Sequence, residues 1–257
     1  MRFFFSKVAF FLLNLCSMID FKRFDRQLKL GEIGEGVQQK WWNSRVLVVG
    51  VGGLGCGILQ GLVGAGVGHI ALLDGDTVAL DNLHRQWIFS EIDVGKSKVN
   101  VAADWIKARH SSIEVQPIAA FLTEDNAETM LSGFDLWIDG TDVPSAKLIL
   151  DRNAELLNTP WVFGAVEQWD GQVSVLNFFD ADGRKARYRD FFSSQVSNDM
   201  VGSCQQRGVM GPVVQMVAMM QAMEALRILG NLSPLYVGKM FCWDGWHSKS
   251  YSVSLWE

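Results

Sequence analysis

A glycine-rich turn between two apolar segments is the first feature that could do chemistry. Residues 50–55 read G-V-G-G-L-G, after a segment with strand character at residues 45–49 and before an apolar helical segment that ends at Gly64. A second apolar strand, residues 70–73, ends in Asp74. This is the order of a dinucleotide-type βαβ unit, in which a phosphate lies at the helix N-terminus and the acid accepts hydrogen bonds from ribose hydroxyls. The stretch predicts a nucleotide-binding site but does not identify which nucleotide binds. The glycines that would approach the phosphate are Gly52, Gly53 and Gly55.

The loop after the second strand carries donors for phosphate oxygens. Residues 77–98 keep neither strand nor helix periodicity, and loops at the carboxyl ends of parallel strands are where such sheets bind ligands. Arg85 offers a planar fork and Lys98 a point charge, whereas His84 alone is more often packed or solvated than catalytic. Candidate nucleotide ligands in or beside this loop are Asp76, Asn82, Arg85 and Lys98.

A pair of acids follows the buried strand that residues 134–140 predict. The segment 139–142 reads D-G-T-D, and carboxylates beside a phosphate turn suit Mg²⁺, which takes a few carboxylate ligands together with phosphates. Asp142 has an equally good interpretation as the N-cap of the helix predicted at residues 144–157, which begins with proline. The residues alone leave both open.

The elements that would position these side chains alternate between strand and helix until residue 161. Two later strands are joined by a connection too short for a helical crossover, so they are expected to pair antiparallel. The fold class is α/β, a Rossmann-like βαβ half followed by an antiparallel half. Residues 180–202 are polar and aperiodic, which is typical of a functional flap or a mobile loop. The other predicted helices are 36–44, 99–110, 124–132 and 212–229, and the other strands are 113–119, 161–165, 172–178, 240–244 and 251–255.

Composition limits the classes of partner. The chain has 257 residues, 49% of them hydrophobic, and we expect one domain over residues 19–257. A net charge of −5 gives no general attraction to nucleic acid or anionic lipid, so neither partner is expected. The four cysteines form no C-x-x-C pair, which indicates neither a zinc ribbon nor a disulfide framework and favours a reducing cytoplasm. Cys204 is by default a buried inert thiol, and Cys56 is expected to pack against the sheet.

The N-terminus has two features. Residues 1–18 are apolar and resemble a short signal segment more than a spanning helix, yet no small-residue cleavage site follows, so we expect an upstream extension with Met18 as the functional start. A membrane-surface anchor is the alternative. Residues 19–30 predict an arm, on which Arg26 alone would be a solvated surface charge.

Seven ordered motifs together resemble the ThiF/MoeB/HesA family, the bacterial relatives of ubiquitin-activating E1 enzymes, over nearly all of residues 19–257. The motifs are R-F-D-R-Q with Arg26, G-V-G-G-L-G, L-L-D-G-D, N-L-H-R-Q with Asn82 and Arg85, V-G-K-S-K with Lys98, D-G-T-D with Asp142, and C-x-x-x-G-V-x-G-P with Cys204.

The resemblance implies an E1-like adenylation fold, one continuous mixed sheet with helices on both faces, and an ATP-dependent adenylyltransferase. In the family, the Gly-Gly carboxylate of a small ubiquitin-like sulfur carrier attacks the α-phosphate of ATP, and pyrophosphate leaves. Residues 180–202 would be a flap over the carrier tail. By position, Asp74 would hold the ribose, Asn82, Arg85 and Lys98 the phosphates, and Asp142 Mg²⁺; Arg26 would reach across a homodimer, and Cys204 matches a cysteine that takes part in sulfur transfer in some members.

Two departures from the family pattern are visible. Many members bind a structural zinc through two C-x-x-C pairs, which are absent here, so we predict no zinc. The Asn that commonly follows the metal-site acid is Val143. Both leave the ATP residues in place.

Two other functions stay open from the sequence. A nicotinamide-dependent oxidoreductase would explain the glycines and Asp74, but not Arg26, Arg85, Lys98 and Asp142. A non-catalytic partner-binding scaffold would be expected to have lost those charged residues. The sequence does not distinguish thiamine, molybdopterin or another sulfur pathway.

Overall fold

One eight-stranded mixed sheet is the centre of the computed structural model, which describes residues 19–192 and 208–256. Its order is β3-β2-β1-β4-β5-β6-β7-β8; the strands from β3 to β5 are parallel, and those from β5 to β8 antiparallel. The predicted mixed sheet, with its parallel and antiparallel halves, is therefore confirmed. The strands are β1 (Arg45–Val49), β2 (His69–Leu73), β3 (Glu114–Ile118), β4 (Leu136–Asp139), β5 (Trp161–Glu167), β6 (Asp170–Leu176), β7 (Lys239–Asp244) and β8 (Lys249–Ser254).

Helices cover both faces of this sheet. Short 3-10 helices lie at Phe21–Phe24, Leu80–Asn82 and Glu91–Asp93. The α-helices of the described residues are α1 (Asp25–Leu28), α2 (Glu35–Asn43), α3 (Gly53–Ala65), α4 (Lys98–Arg109), α5 (Ala127–Leu131), α6 (Pro144–Leu157), α7 (Tyr188–Phe191) and α8 (Gly211–Leu229). None of these described helices is long and apolar enough to cross a membrane.

Two hydrophobic cores result from the alternation of side chains along the strands. In β1, Val46 and Val48 face one core, whereas Leu47 and Val49 face the other. Helices α2, α3, α4 and α8 contribute to the first core, and α5, α6 and α7 to the second. Because both faces are buried there, β1, β2 and β4 are largely apolar, whereas the edge strand β3 contains polar residues and is mostly exposed.

The described part of the predicted flap, residues 180–192, packs against the second core. Residues 180–192 contain α7, whose Tyr188 is 5% exposed in the second core, and the Tyr188 amide donates to Asp151 at 2.7 Å. Arg189 adds an ion pair to the same carboxylate at 2.8 Å. Residues 180–187 form no helix or regular strand, in line with the predicted loop, whereas the four residues of α7 are helical and their aromatic side chains pack beside β5. The role as a flap stays a prediction. Residues 193–207 and 1–18 lie outside the described residues, and so do Cys204 and the interpretations of the N-terminal extension.

The N-terminal arm is fixed to the end of α3. Phe24 is 3% exposed, and the Gln27 side chain donates to the Ala65 carbonyl at 3.0 Å. Gly66 ends α3 in the left-handed conformation, with φ of +85°, and its amide donates back to the Leu62 carbonyl. The arm therefore lies at the amino-end edge of the parallel strands.

Two glycines of α3 provide a matched pair of substitutions. A Cβ on Gly64 would meet no atom within 4 Å, whereas a Cβ on Gly55 would lie 2.2 Å from the Gly50 carbonyl oxygen. We expect Gly64→Ala to raise the free energy of unfolding by about 0.5–1 kcal/mol, because alanine favours the helix. Gly55→Ala should lower it by about 1–3 kcal/mol, because two backbones would be pushed apart. Urea denaturation measures both, and a stable Gly55→Ala would contradict the close contact.

Candidate active site

The glycine turn joins β1 to α3 and leaves the helix N-terminus open. Gly50 has φ of +86°, and its amide donates to the Leu73 carbonyl of β2 at 2.8 Å. Gly52 is the N-cap of α3 and makes no side-chain capping bond. The first amide groups and the positive end of the helix dipole are therefore free of a capping side chain, which suits a phosphate.

Two acids after β2 support this turn. The Asp74 carboxylate accepts hydrogen bonds from the amides of Val51 at 2.7 Å and Asp76 at 2.8 Å. Asp76 pairs with the Lys98 ammonium at 3.0 Å, and the Lys98 side chain is only 7% exposed. Because its stem is buried, Lys98 holds its charge in a defined place near the strand ends.

Arg85 lies beside the first glycine of α3. A Cβ on Gly53 would be 3.4 Å from Cγ of Arg85, and the Arg85 carbonyl accepts from the Gln215 side chain of α8 at 2.8 Å. The guanidinium donates to the Asp81 carbonyl at 3.0 Å and contacts Nε2 of His84 at 2.8 Å. As the guanidinium has only donors, Nε2 is the acceptor, and a neutral His84 carries its proton on Nδ1. Asn82 belongs to the same turn, since its carbonyl accepts from the Arg85 amide at 3.1 Å.

The pKa of the Cys56 thiol is affected by charged groups near the start of α3. Its burial raises the pKa of the thiol to about 12, an effect that the nearby positive charges of Lys98 and Arg85 oppose and that of Asp74 reinforces. Cys56 is fully buried in the first core, as predicted, and it is an inert thiol. All three charged groups thus act electrostatically on the first turn of α3.

The two acids after β4 have different environments. Asp139 is fully buried, and its carboxylate accepts from the Thr141 amide at 3.0 Å and hydroxyl at 2.7 Å and from the Lys147 ammonium. Asp142 is exposed and, within the described residues, has no hydrogen bond or ion pair. The N-cap of α6 is Val143, without a side-chain bond, so the capping interpretation of Asp142 is wrong. No described residue competes for its carboxylate, which can therefore bind a cation.

These turns meet at one edge of the sheet. A Cβ on Gly140 would lie 2.5 Å from the Gly50 carbonyl oxygen, so the turns after β1 and β4 touch through their backbones. The donor set fits a magnesium-bound nucleotide: an uncapped helix N-terminus and two cations for phosphates, and one free carboxylate for the metal. Asp74, Asp76, Asn82, Arg85, Lys98 and Asp142 occupy this edge with the three glycines.

Arg26 is not brought to this edge in its own chain. It is exposed on α1, and the neighbouring Gln27 is bonded to Ala65 at the far end of α3. The 13 residues of that helix span about 20 Å. Arg26 therefore lies far from the turn that its own chain supplies.

The sequence alone assigned no role to three residues that are polar and buried. Gln86 is 2% exposed, its Oε1 has no partner, and its amide lies 3.7 Å from where a Cβ on Gly52 would be. Gln215 links α8 to Arg85, and Lys147 neutralises Asp139. A signal existed for Lys147: it lies three residues before Leu150 and seven before Ala154, on the apolar stripe of α6.

Comparison with known proteins gives consistent matches. The ThiF family model matches residues 24–256. The chain is 36% identical over 240 residues to the adenylyltransferase and sulfurtransferase MOCS3 of Caenorhabditis briggsae, covering 93% of this chain and 59% of that protein. It is 35% identical over 223 residues to the sulfur carrier protein adenylyltransferase of Thermus thermophilus, covering 86% of this chain and 82% of that protein. The chain thus spans less than two thirds of the first relative.

Solved structures share the fold. The crystal structure of E. coli MccB with MccA-N7isoASN has a TM-score of 0.79 at 22% identity, covering 93% of this chain and 72% of that chain. At this identity the likeness concerns the fold alone. Together with the family match over most of its length, the motifs and the arrangement of the site show that the chain belongs to the ThiF family.

Proposed function

We propose that this chain is an ATP-dependent adenylyltransferase that activates the C-terminal Gly-Gly carboxylate of a small ubiquitin-like sulfur-carrier protein. A carboxylate oxygen of the carrier forms a bond to the α-phosphorus of ATP, the bond from that phosphorus to the bridging oxygen breaks, and pyrophosphate leaves. The observation that carries the proposal is the convergence, at one edge of the sheet, of an uncapped helix N-terminus, Arg85, Lys98 and an Asp142 that no described residue binds.

The residues would act by position and charge. The amides at the start of α3 and the side chains of Arg85 and Lys98 bind phosphate oxygens, on which negative charge gathers as the bond to the leaving group breaks. Asp74 and Asp76 would face the ribose, and Asn82 would face the phosphates. Asp142 holds Mg²⁺, which when bound neutralises phosphate charge. No general base is needed, because the attacking carboxylate is already ionised.

The relatives support the adenylation step, although the first of them is much longer than this chain. The protein from Thermus thermophilus is named a sulfur carrier protein adenylyltransferase, and this chain spans 82% of it. Two other classes explain less: hydride transfer gives no role to Asp142, and a scaffold gives none to the Arg85 and Lys98 pair.

The assembly and compartment belong to the same proposal. Because Arg26 lies at the opposite edge from its own glycine turn, we place it in the site of a second copy in a homodimer. Cys56 and Cys242 are buried free thiols, which supports a reducing cytoplasm. The absence of zinc stays a prediction. So does the part in sulfur transfer that the resemblance implies for Cys204, because residues 193–207 lie outside the described part.

The function is tested by exchange of labelled pyrophosphate into ATP in the presence of a carrier ending in Gly-Gly. Asp142→Ala should lower the exchange rate by about 100-fold or more, since the metal loses a charged ligand. The melting temperature should stay unchanged, because Asp142 is exposed and makes no hydrogen bond or ion pair with a described residue. Asp104→Ala, which removes an exposed carboxylate of α4, is the control and should behave as wild type. Wild type without exchange for any such carrier would contradict the function, and near-normal Asp142→Ala would remove Asp142 from the metal role.

The shared site is tested by mixing two inactive variants. Arg26→Ala keeps Asp142, and Asp142→Ala keeps Arg26, so a mixed dimer has one intact site. Random pairing makes half of the dimers mixed and leaves half of their sites intact, so about one quarter of the wild-type exchange rate should return. The measurement is the rate after dissociation and reassociation of the mixture. A rate no higher than that of either variant alone would place Arg26 outside the partner's site.

A further inference from the structure

Lys147 is a buried cation directly behind the turn that carries Asp142. It is the fourth residue of α6, and helical side chains point back toward the N-terminus, which brings its ammonium under residues 139–142. The side chain is 7% exposed. Its ammonium donates to the Asp139 carboxylate, to the Thr141 carbonyl at 3.0 Å and to the Gly164 carbonyl at 3.1 Å. Its three donors therefore have three acceptors.

This arrangement is electrostatically expensive. A cation near the start of α6 meets the positive end of the helix dipole, and both charges of the pair are removed from water. Buried ion pairs of this kind can often be replaced by apolar groups without loss of stability. The pair therefore has little value for the fold by itself, and its geometry points to another role.

Hydrogen bonds fix the turn at residues 139–141, and the side chain of Asp142, which follows it, has no partner among the described residues. Thr141 is held at three points, since its amide and hydroxyl donate to Asp139 and its carbonyl accepts from Lys147. On the other side, the Gly140 amide donates to the Val49 carbonyl at 2.7 Å. Asp142 comes next, exposed and without a partner in the described residues. The fixed backbone of this turn thus presents the carboxylate of Asp142, which no described residue binds.

Lys147 also determines which acid can bind a cation. Without it, Asp139 would place an uncompensated negative charge close to the phosphates. With it, Asp139 is neutralised within the protein, and the full charge of Asp142 remains for the metal.

We propose that Lys147 is a positioning residue for Asp142 in the binding of a magnesium nucleotide. The inference rests on the proposed function, and it concerns the affinity of the site for Mg²⁺ and not the adenylation chemistry. Residues that orient metal ligands typically contribute about 10- to 100-fold to metal affinity.

The test is calorimetric titration of the full chain with a non-hydrolysable ATP analogue over a series of Mg²⁺ concentrations. Lys147→Met should raise the Mg²⁺ concentration for half-maximal binding by about 10- to 100-fold. Lys147→Arg, which keeps the charge and the donors, should retain most of the wild-type affinity. The matched control is Lys107→Met, which removes a lysine that donates to the Ile113 carbonyl at 2.7 Å outside the site; its Mg²⁺ dependence should equal that of wild type.

A double variant separates positioning from folding. Lys147→Met alone leaves Asp139 charged and buried, so its melting temperature should fall. Adding Asp139→Asn removes that charge and should restore the melting temperature, while the Mg²⁺ requirement stays raised because Thr141 has lost its donor. A double variant that folds and binds Mg²⁺ like wild type would overturn the inference and leave the proposed function intact. Wild type that binds no analogue at any Mg²⁺ concentration would instead overturn the proposed function.

Discussion

The contact between the backbones of Gly50 and Gly140 is the constraint on which the site depends. A side chain on Gly140 would lie 2.5 Å from the Gly50 carbonyl oxygen, and one on Gly55 would lie 2.2 Å from the same atom. Only glycine permits this approach, so the turns after β1 and β4 and the start of α3 share one small region. The amides at the start of α3 and the acid proposed to bind the metal are adjacent because these three backbones touch.

Charge in this region is distributed so that each buried charged side chain has a partner and the exposed charged groups remain available. Lys147 neutralises Asp139, Asp74 is engaged by two backbone amides, and Lys98 rests against the half-exposed Asp76. A nucleotide would add four phosphate charges at most, which Arg85, Lys98 and the helix N-terminus would meet together with a metal. The low dielectric of the packed sheet beneath them strengthens each of these attractions.

Much of the fold could be predicted from the sequence because it depends on local patterns. The apolar runs of β1 and β4 and the proline at the start of α6 determine elements within one or two residues of their observed bounds. The antiparallel half followed from the short connection after β5. The packing of α7 could not be predicted in this way, because Tyr188 is held by Asp151, which is 37 residues distant in sequence. From its polar composition alone, the segment that contains α7 is predicted to be a loop.

The candidate site was predictable to the same degree and for the same reason. Glycines and acids at strand ends have a local signature, so the sequence predicts that Asp74 and Asp142 follow the ends of β2 and β4, where the structure has them; their roles stay predictions. Lys147, Gln86 and Gln215 were missed since their importance comes from what lies opposite them in space. Likewise, the capping interpretation of Asp142 fitted the local sequence well, and only the observed N-cap at Val143 excluded it.

The position of the N-terminal arm determines which candidate site residues one chain can place at its own glycine turn. The turns at Gly50 and Gly140 are fixed by backbone contacts within one protomer, whereas Arg26 is held at the opposite edge by Phe24 and Gln27, both of which pack or bond against α3. Moving Arg26 to its own glycine turn would break these contacts and expose Phe24. In the proposed homodimer, a second copy would avoid this loss, because it would present its Arg26 while its own arm stays docked. Under that proposal, the same packing that stabilises the arm would make a complete site a property of the assembly.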